Sequence, residues 1–372
     1  MRLHLLGIPH TRSTLAFSHC AFTQKVVKFI PMMKAQGFDI VHYGVGEECP
    51  PGAENVLVLD VKRQEELLGF DPLGDKKAFV GNAADIGNPL YQEFNARLEP
   101  LLRAAVAPED IVCFPFGYGH AGGGRSHAGI VVESGIGYPD ALPETFKIYE
   151  SNAWAAWHAG RHQRPGSQYE WVIPNYFDTS EWAVGAGPRN YLAYLGRLTE
   201  IKGLPTILAI AEKRPDLQIF LAGQGDPGPW LGRHPNVGYV GPLTGRERSS
   251  FLGGALALLA PSAYVEPFCG VTVEANLCGT PAFTTNFGAF QETIVPGVNG
   301  YRCHTLGDFL GAIRRAEAGH FNPQAIRALA ESRYSFPVVG RQYRAAFEQL
   351  SDLRSNGALG WYSPQGRHVP FP

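Results

Sequence analysis

Two glutamates in the second half of the chain have a spacing that suits ligand binding. Glu266 follows an apolar run that predicts a strand over 255–260, and Glu274 lies one turn into a helix predicted to begin near Gly270. The N–H groups at a helix start can bind a diphosphate, and carboxylates accept hydrogen bonds from hydroxyl groups. Glu266 can therefore accept hydrogen bonds from the hydroxyls of a sugar, and Glu274 from the paired hydroxyls of a ribose. The alternative is that both acids only complement the helix dipole.

A group of cationic and small residues precedes these glutamates. Gly196-Arg197 directly follows a strand predicted over 191–195, and Lys202-Gly203 comes shortly afterwards, at the start of a predicted helix. Glycine allows the backbone to approach a ligand closely, while arginine and lysine donate hydrogen bonds to phosphate oxygens. The pattern predicts a phosphate site, with a surface Arg/Lys pair beside a tight turn as the alternative.

Candidates for a second ligand lie in the first half of the chain. His10 and His120 each follow a predicted strand, where side chains of doubly wound sheets face a cleft. Arg125, Arg161 and Arg164 lie in two glycine-containing segments and could bind an anionic partner. A loop histidine that binds backbone groups, and arginines in solvated loops, are the alternatives.

Alternating strands and helices are predicted to position all of these residues. In the first half the predicted strands are 2–8, 39–43, 56–59, 111–116, 130–133, 147–150 and 172–174, with helices at 22–36 and 94–107. In the second half they are strands 191–195, 217–222, 237–240, 255–260 and 281–284, with helices at 203–213, 244–252, 270–278 and from about 306. Such alternation predicts two doubly wound parallel sheets that face a cleft.

Composition limits the class of protein. The 372 residues are 45% hydrophobic and 18% charged, which predicts a globular chain with two domains. A formal net charge of -2 provides no overall field toward nucleic acid or anionic lipid, although a local basic patch stays possible. The six cysteines form no CxxC pair and no apolar run reaches membrane-spanning length, so we expect reduced thiols and a cytoplasmic protein.

The motifs in their order along the chain resemble the retaining GT-B glycosyltransferases of family 4, also called glycosyl transferases group 1. The resemblance is dense from about 172 to 302 and weak before that. The segments that carry it are Ile173-Pro174-Asn175 with Asp178, Gly196-Arg197 with Lys202-Gly203, Leu221–Gly225, Val237–Gly241, Glu266 and Glu274 with Ala275, Gly279 and Pro281, Gly288 with Glu292, and Asn299-Gly300.

This resemblance assigns roles to individual residues. It implies that Arg197 and Lys202 bind a diphosphate, that Glu266 binds the transferred sugar, and that Glu274 binds the ribose. The remaining residues implied at this sugar-donor site are Gly196, Gly223, Gly225, Val240, Phe268, Cys269, Gly270 and Val271. His120 is the match, by order, to a histidine that family members often have near the transferred sugar. Two departures from the family pattern are Cys269, which replaces a glycine, and Ala289, which replaces the second of two glycines.

The resemblance also implies a domain organisation. We expect an acceptor-side domain over 1–184, a nucleotide-sugar domain over 189–335, and a segment 336–372 with a helix that returns to the first domain and a tail. The hinge is predicted at Gly185–Pro188, a small and flexible stretch.

The implied activity is transfer of a sugar from a nucleotide diphosphate-sugar to a hydroxyl group, with retention of anomeric configuration and without a bound metal or other cofactor. UDP is the expected nucleotide because of its frequency among such sugar donors. The acceptor could be anionic, and a phosphorylated sugar, a lipid carrier and a hydroxylated DNA base all stay open, as does the oligomeric state. The alternatives are a nucleotide-sugar epimerase or hydrolase of the same fold, and a non-catalytic nucleotide-sugar-binding protein.

Overall fold

The structure is a computed structural model that describes residues 1–17, 20–74, 87–143, 145–166 and 169–355. The first half of the chain forms a parallel sheet with the strand order β3-β2-β1-β4-β5-β6-β7. Its strands are β1 (Arg2–Leu6), β2 (Asp39–Val45), β3 (Glu54–Leu59), β4 (Ile111–Phe114), β5 (Ile130–Ile136), β6 (Phe146–Tyr149) and β7 (Glu170–Val172).

The second half forms another parallel sheet, with the order β10-β9-β8-β11-β12-β13. Its strands are β8 (Tyr191–Leu195), β9 (Gln218–Ala222), β10 (Val237–Gly241), β11 (Ala257–Ala260), β12 (Ala282–Thr285) and β13 (Gly300–Cys303). The two doubly wound sheets predicted from the sequence are therefore confirmed.

Helices cover both faces of each sheet, which explains why the strands are apolar along their whole length. In the first domain these helices are α1 (Ala21–Ala35), α2 (Val61–Leu68), α3 (Pro89–Ala105), α4 (Gly117–His120) and α5 (Asn152–Arg161). Phe29 and Ile30 of α1 pack in one core cluster, and Phe94 and Leu98 of α3 pack in another that contains Phe114 of β4.

The second domain contains α6 (Leu204–Lys213), α7 (Gly245–Gly253), α8 (Gly270–Leu277), α9 (Phe290–Thr293), α10 (Leu306–Glu317) and α11 (Pro323–Tyr334). The last helix, α12 (Phe336–Ser355), returns to the first domain as predicted. There the rings of Tyr343 and Phe347 lie 5.1 and 6.4 Å from the ring of Phe29. The end of the predicted tail, residues 356–372, lies outside the described residues.

The chain crosses between the domains at two points that lie side by side. Phe177 N donates to Tyr334 O at 2.9 Å, and Phe336 N donates to Phe177 O at 3.1 Å. Phe177 and Trp182 already belong to a core cluster of the second domain. The chain therefore enters the second domain near Phe177, before the predicted limit at residue 184.

Five of the described regular elements were not predicted from the sequence: helices α2, α4, α5 and α9 and strand β13. The first turn of α5 is capped by Ser151, whose Oγ accepts from Trp154 N at 3.1 Å.

No helix among the described residues is long and apolar enough to cross a membrane. The six cysteines, all within the described parts of the chain, are free thiols.

Candidate active site

Each sheet has a topological switch point, a pair of neighbouring strands from which the chain adds later strands first toward one edge of the sheet and then toward the other. These points lie between β1 and β4 in the first sheet and between β8 and β11 in the second. Ligands of doubly wound sheets bind in the crevice outside the carboxyl ends of the strands at such points. Arg197 follows β8 and Glu266 follows β11, so the predicted sugar-donor residues come from both sides of the second switch point.

Glu266 is the centre of a buried polar cluster in the second domain. Its Oε1 accepts from Lys202 Nζ at 2.8 Å and from Ser262 Oγ at 2.6 Å, and its Oε2 accepts from Tyr264 OH at 2.6 Å. Lys202 Nζ also donates to Tyr264 OH at 2.6 Å. Glu266 is only 2% exposed, and the ammonium group of Lys202 compensates the carboxylate at this depth. Burial, reinforced by Glu266, raises the pKa of Tyr264, which keeps its phenol a hydrogen-bond donor.

Glycine segments form the backbone part of the site beside β8. Gly223 has φ of 130°, and a Cβ there would lie 2.0 Å from Gly196 O, so only glycine allows these segments to approach so closely. Gly223 N donates to Gly241 O at 3.0 Å, and Tyr239 OH donates to Gly223 O at 2.8 Å. The structure thus brings the segments after β8 and β9 together with the end of β10.

Three other residues predicted at the sugar-donor site lie near these glycine contacts. Arg197 is exposed at the end of β8, and Val240 is 44% exposed on β10. Gly225 has φ of 122° and packs against Leu198, whose N donates to Gln224 O at 2.8 Å. An exposed cation and an exposed apolar side chain at one edge suit a phosphate group and a nucleobase.

Helix α8 begins directly after the Glu266 loop. Cys269 precedes it in the left-handed conformation, with φ of 64° and ψ of 67°, and is half-buried. Phe268 points inward and packs against the rings of Phe177 and Tyr334, so its side chain belongs to the core. Gly270 and Val271 form the first turn of α8, where backbone N–H groups without intrahelical partners can bind an anion.

Glu274 lies one turn into α8, as predicted. Its Oε2 accepts from Arg248 Nε of α7 at 2.8 Å, and Arg248 Nη2 contacts the same oxygen. Lys28 of the first domain is close enough for its charge to interact with Glu274, and its ammonium lies 5.0 Å from the ring centroid of Phe177. The carboxylate is thus held by Arg248 of α7.

His10 lies at the first switch point, in the loop after β1. Its Nδ1 forms a hydrogen bond with Tyr91 OH at 2.7 Å, and its Nε2 lies 3.8 Å from Cys20 Sγ. Buried contacts fix the loop around it, because Gln64 Nε2 donates to Pro9 O at 2.7 Å. In the same loop Ser13 Oγ forms a hydrogen bond with His42 Nε2 at 2.8 Å. The imidazole is therefore held in one orientation at the cleft edge.

His120 does not face the cleft, which corrects the sequence-based expectation for its position. The residue lies in α4, is 0% exposed, and packs against the rings of Phe94 and Phe114 at 6.5 and 5.7 Å. Neither ring nitrogen has a hydrogen-bond partner among the described residues. Burial lowers the pKa of His120 to about 3, so the imidazole is neutral. Its position after β4 was predicted, but the short helix α4 turns the side chain into the core.

The three predicted acceptor-side arginines have different surroundings in the first domain. Helix α5 begins after β6, and Arg161 lies in its last turn, about 13 Å along the helix axis from its first residue. Arg161 forms an ion pair with Asp140 at 3.4 Å. Arg164 forms an ion pair with Glu170, the first residue of β7, at 2.8 Å. Arg125 is exposed in the loop that leads from α4 back to the start of β5.

Several residues of the site were missed by reasoning from the sequence. These are Ser262, Tyr264, Arg248 and Tyr91, which bind Glu266, Glu274 and His10. Ser262 and Tyr264 share a loop with Glu266, so their closeness in sequence was a usable signal. Arg248 and Tyr91 are distant in sequence and only the fold brings them to the site. The described residues contain no group of three or more His, Cys, Asp or Glu side chains that could hold a metal ion.

The second half of the chain is similar to known sugar-transferring enzymes. Residues 178–319 match the family model of glycosyl transferases group 1. The chain is 34% identical over 155 residues to a glycogen synthase of Mycobacterium tuberculosis, which is 37% of each chain. It is 30% identical over 181 residues to a phosphatidyl-myo-inositol mannosyltransferase of Propionibacterium freudenreichii, which is 45% of each chain. The similarity thus spans less than half the length of these curated relatives.

Solved structures resemble the chain over nearly its whole length. AviGT4, a glycosyltransferase involved in avilamycin A biosynthesis, has a TM-score of 0.68 at 21% identity and covers 95% of this chain and 98% of its own. HepE of Anabaena, solved in complex with UDP and glucose, has a TM-score of 0.65 at 14% identity and covers 94% and 99%. The fold is therefore that of the GT-B glycosyltransferases.

Proposed function

We propose that the chain is a glycosyltransferase that moves a sugar from a nucleotide diphosphate-sugar to a hydroxyl acceptor with retention of configuration. The observation that carries this proposal is the buried Glu266 cluster at the second switch point, where hydroxyl, phenol and ammonium groups surround one carboxylate. Such a carboxylate can exchange these partners for the hydroxyls of a sugar. The match to glycosyl transferases group 1 spans the same residues and supports the proposal.

The sugar donor is oriented by charge and backbone groups of the second domain. Arg197, Lys202 and the first turn of α8 bind the diphosphate, whose negative charge suits two cations and a helix start. Glu274 accepts hydrogen bonds from the ribose, and the nucleobase lies between the Gly223–Gly225 segment and Val240. UDP is the proposed nucleotide, and the UDP bound by the similarly folded HepE supports this choice.

The chemical step breaks the bond between the anomeric carbon and the phosphate oxygen and forms a bond from that carbon to the acceptor oxygen. The acceptor hydroxyl loses its proton to the departing phosphate oxygen on the same face of the sugar, which leads to retention. Arg197, Lys202 and the α8 amides stabilise the charge that develops on the nucleoside diphosphate. These groups take the role that a metal ion has in other transferases, so we expect activity in the presence of a chelator.

The acceptor binds at the first switch point, opposite the sugar donor. His10 is the proposed acceptor-side residue because it follows β1 at this edge, with Nδ1 bound to Tyr91 OH and Nε2 3.8 Å from Cys20 Sγ. The proposal leaves a phosphorylated sugar, a lipid carrier and a hydroxylated DNA base as acceptor classes. Transfer rates measured at increasing ionic strength separate an anionic acceptor, which would bind less well at high salt, from a neutral one.

Nucleotide release from a panel of nucleotide-sugars, with and without a crude acceptor extract, tests the activity. Release that depends on the extract is expected for a transferase. Equal release without acceptor would indicate a hydrolase, conversion of the sugar without release would indicate an epimerase, and binding without either would indicate a non-catalytic protein. Each of these three results would contradict the proposed transfer.

Replacement of Arg197 tests the sugar-donor site directly. Arg197→Ala is expected to weaken binding of the nucleoside diphosphate by about 1.5–3 kcal/mol, the range for a hydrogen bond to a charged group. Arg214→Ala is the matched control, because Arg214 pairs with Asp216 and Glu317 at the opposite edge of the same sheet. Titration calorimetry with UDP, GDP and ADP measures both variants. Equal affinities for wild type and Arg197→Ala would show that Arg197 is not part of the sugar-donor site.

A further inference from the structure

The two domains contact each other where α5 begins. The carboxylate of Glu292 accepts hydrogen bonds from Asn152 N at 2.9 Å, from Ala153 N at 2.8 Å and from Asn152 Nδ2 at 2.8 Å. Ser151 Oγ donates to Pro267 O at 2.7 Å. Glu292 and Pro267 belong to the second domain, and the three residues they contact belong to the first. Four hydrogen bonds therefore join residues 151–153 of the first domain to Pro267 and Glu292 of the second.

The chemistry of this contact suits a carboxylate. Asn152 and Ala153 are the first two residues of α5, and their N–H groups have no partner within the helix. Ser151 caps the helix through Trp154 N, which leaves these two N–H groups for another acceptor. The negative charge of Glu292 is also favourable beside the positive end of the helix dipole. Glu292 is thus the acceptor that satisfies the exposed start of α5.

Both second-domain residues of the contact lie close to the segment that holds Glu266. Pro267 is the next residue after Glu266, and Ala289 N, near Glu292, donates to Glu266 O at 3.1 Å. A Cβ at Gly288 would lie 2.8 Å from Glu266 N, so this segment packs directly on the glutamate backbone. Contact with α5 therefore fixes the backbone on which the buried carboxylate cluster depends.

We propose that Glu292 and Ser151 form an interdomain latch that joins the two domains at the start of α5 and positions Glu266. The latch consists of Ser151, Asn152 and Ala153 on one side and Pro267 and Glu292 on the other. Glu292 is a positioning residue that acts through the Glu266 segment and does not contact the sugar. The consequence for turnover rests on the proposed transfer activity, whereas the contact itself can be tested without it.

Hydrogen exchange of the full-length protein, resolved to single amides, tests the contact. The amides of Asn152 and Ala153 would exchange rapidly at the start of an unpartnered helix, so their protection reports the latch. Glu292→Ala is expected to accelerate their exchange by about tenfold or more, the factor for loss of hydrogen bonds to a charged acceptor. Rapid exchange in the wild type, or unchanged exchange in the variant, would overturn the latch.

A control variant removes a similar cap within one domain. Asp308 Oδ2 accepts from His304 N and Thr305 N, both at 2.9 Å, at the start of α10. Asp308→Ala is expected to leave exchange at Asn152 and Ala153 within about twofold of the wild type, because distant sites act independently. Acceleration at α5 in this variant as well would mean that the effect is general destabilisation, and would overturn the assignment.

Two changes at Ser151 separate its two hydrogen bonds. Ser151→Thr keeps the hydroxyl that caps α5 and donates to Pro267 O. Ser151→Asp keeps an acceptor for the cap, loses the donor for Pro267 O and adds a negative charge near Glu292. Exchange at Asn152 and Ala153 should be unchanged in the first variant and accelerated in the second. Equal behaviour of both variants would contradict a role for the Ser151–Pro267 bond.

Steady-state kinetics then tests positioning. Glu292→Ala is expected to lower kcat about tenfold, while affinity for the nucleoside diphosphate stays within about twofold because Arg197 is untouched. Accelerated exchange with unchanged kcat would overturn the positioning role. A wild type that shows the protected amides but no transfer with any sugar donor would refute the proposed function and leave the latch supported.

Discussion

Cys269 combines a side chain with a backbone conformation that glycine adopts more easily. Its φ of 64° lies in the left-handed region, where a Cβ costs about 1–2 kcal/mol. The family that the sequence resembles usually has glycine at this position, and the conformation explains that preference. We expect Cys269→Gly to be more stable than Cys269→Ala by about 1 kcal/mol, because alanine keeps the Cβ. Urea unfolding of the two variants measures this difference.

Cys278 provides the comparison for this experiment. It lies at the end of α8 with φ of -83°, where a Cβ is not strained. At this position Cys278→Ala should be more stable than Cys278→Gly, since glycine loses more backbone entropy on folding. The same order of stability at both positions would contradict strain at Cys269.

His120 is expected to make stability depend on pH. The folded protein keeps this histidine neutral down to a pKa of about 3, whereas the unfolded chain binds a proton below about 6.5. The unfolded state therefore binds more protons between these values, and His120 lowers stability as the pH falls through this window. His120→Phe should remove that contribution, so its free energy of unfolding should exceed that of the wild type increasingly toward pH 4, by at most about 1.4 kcal/mol per pH unit.

Urea unfolding of both proteins at pH 7, 6, 5 and 4 checks this prediction. Phenylalanine is similar in size to histidine and suits a site between Phe94 and Phe114, so the fold should persist. Parallel stability curves for the two proteins would mean that His120 is protonated or hydrated in the folded state.

At the scale of elements, residues that follow strands were the predictable part of the site. Buried parallel strands are continuous apolar runs, so their ends can be located from sequence, and Gly196, Arg197 and Glu266 could be placed at one edge. Pairing partners from other elements could not be placed. Arg248 reaches Glu274 only because α7 packs beside α8, a contact that no local pattern encodes.

Helix α5 shows why the first domain was harder to predict. Its residues, Asn152–Arg161, contain aromatic and small side chains without a clear apolar period, and only Ser151 signals its start. Without this helix the sequence suggested a basic loop near the cleft. With it, Arg161 lies in the last turn of α5 and Arg164 in the loop that follows, and each pairs with a carboxylate. The missing element changed the interpretation of Arg161 and Arg164.

This geometry predicts that the arginines of α5 and its following loop are dispensable for transfer. A double variant, Arg161→Ala with Arg164→Ala, should keep the wild-type rate and salt dependence of transfer within about twofold. It should lower stability, because Arg164 Nη2 also donates to Tyr149 OH at 2.9 Å and pairs with the half-buried Glu170. A clear loss of transfer rate, or a weaker salt dependence, would indicate that these two arginines belong to the acceptor site.

At the scale of the whole molecule, the two crossings between the domains define the axis of any closure. Phe177 and Ser335 form an isolated parallel bridge, so both crossings lie at one place. Gly185 is anchored on the second domain, since a Cβ there would lie 1.9 Å from Gly253 O. The segment predicted as the hinge, Gly185–Pro188, therefore begins at a fixed point of the second domain instead of between the two.

Closure around the sugar donor is expected to occur by rotation about the Phe177–Ser335 pair. A cleft must exclude water if the sugar is to reach an acceptor instead of being hydrolysed, so bound nucleotide-sugar should make the molecule more compact. The variant Gly187→Ala distinguishes a hinge at the Phe177–Ser335 pair from a hinge at Gly185–Pro188. It restricts the backbone of the second segment without a steric clash, because Gly187 is exposed and its Cβ would meet no atom within 4 Å. Small-angle scattering should show the same ligand-dependent decrease in radius of gyration for this variant and for wild type. A decrease that is lost or reduced in the variant would place the hinge at Gly185–Pro188, and no decrease in either protein would contradict closure.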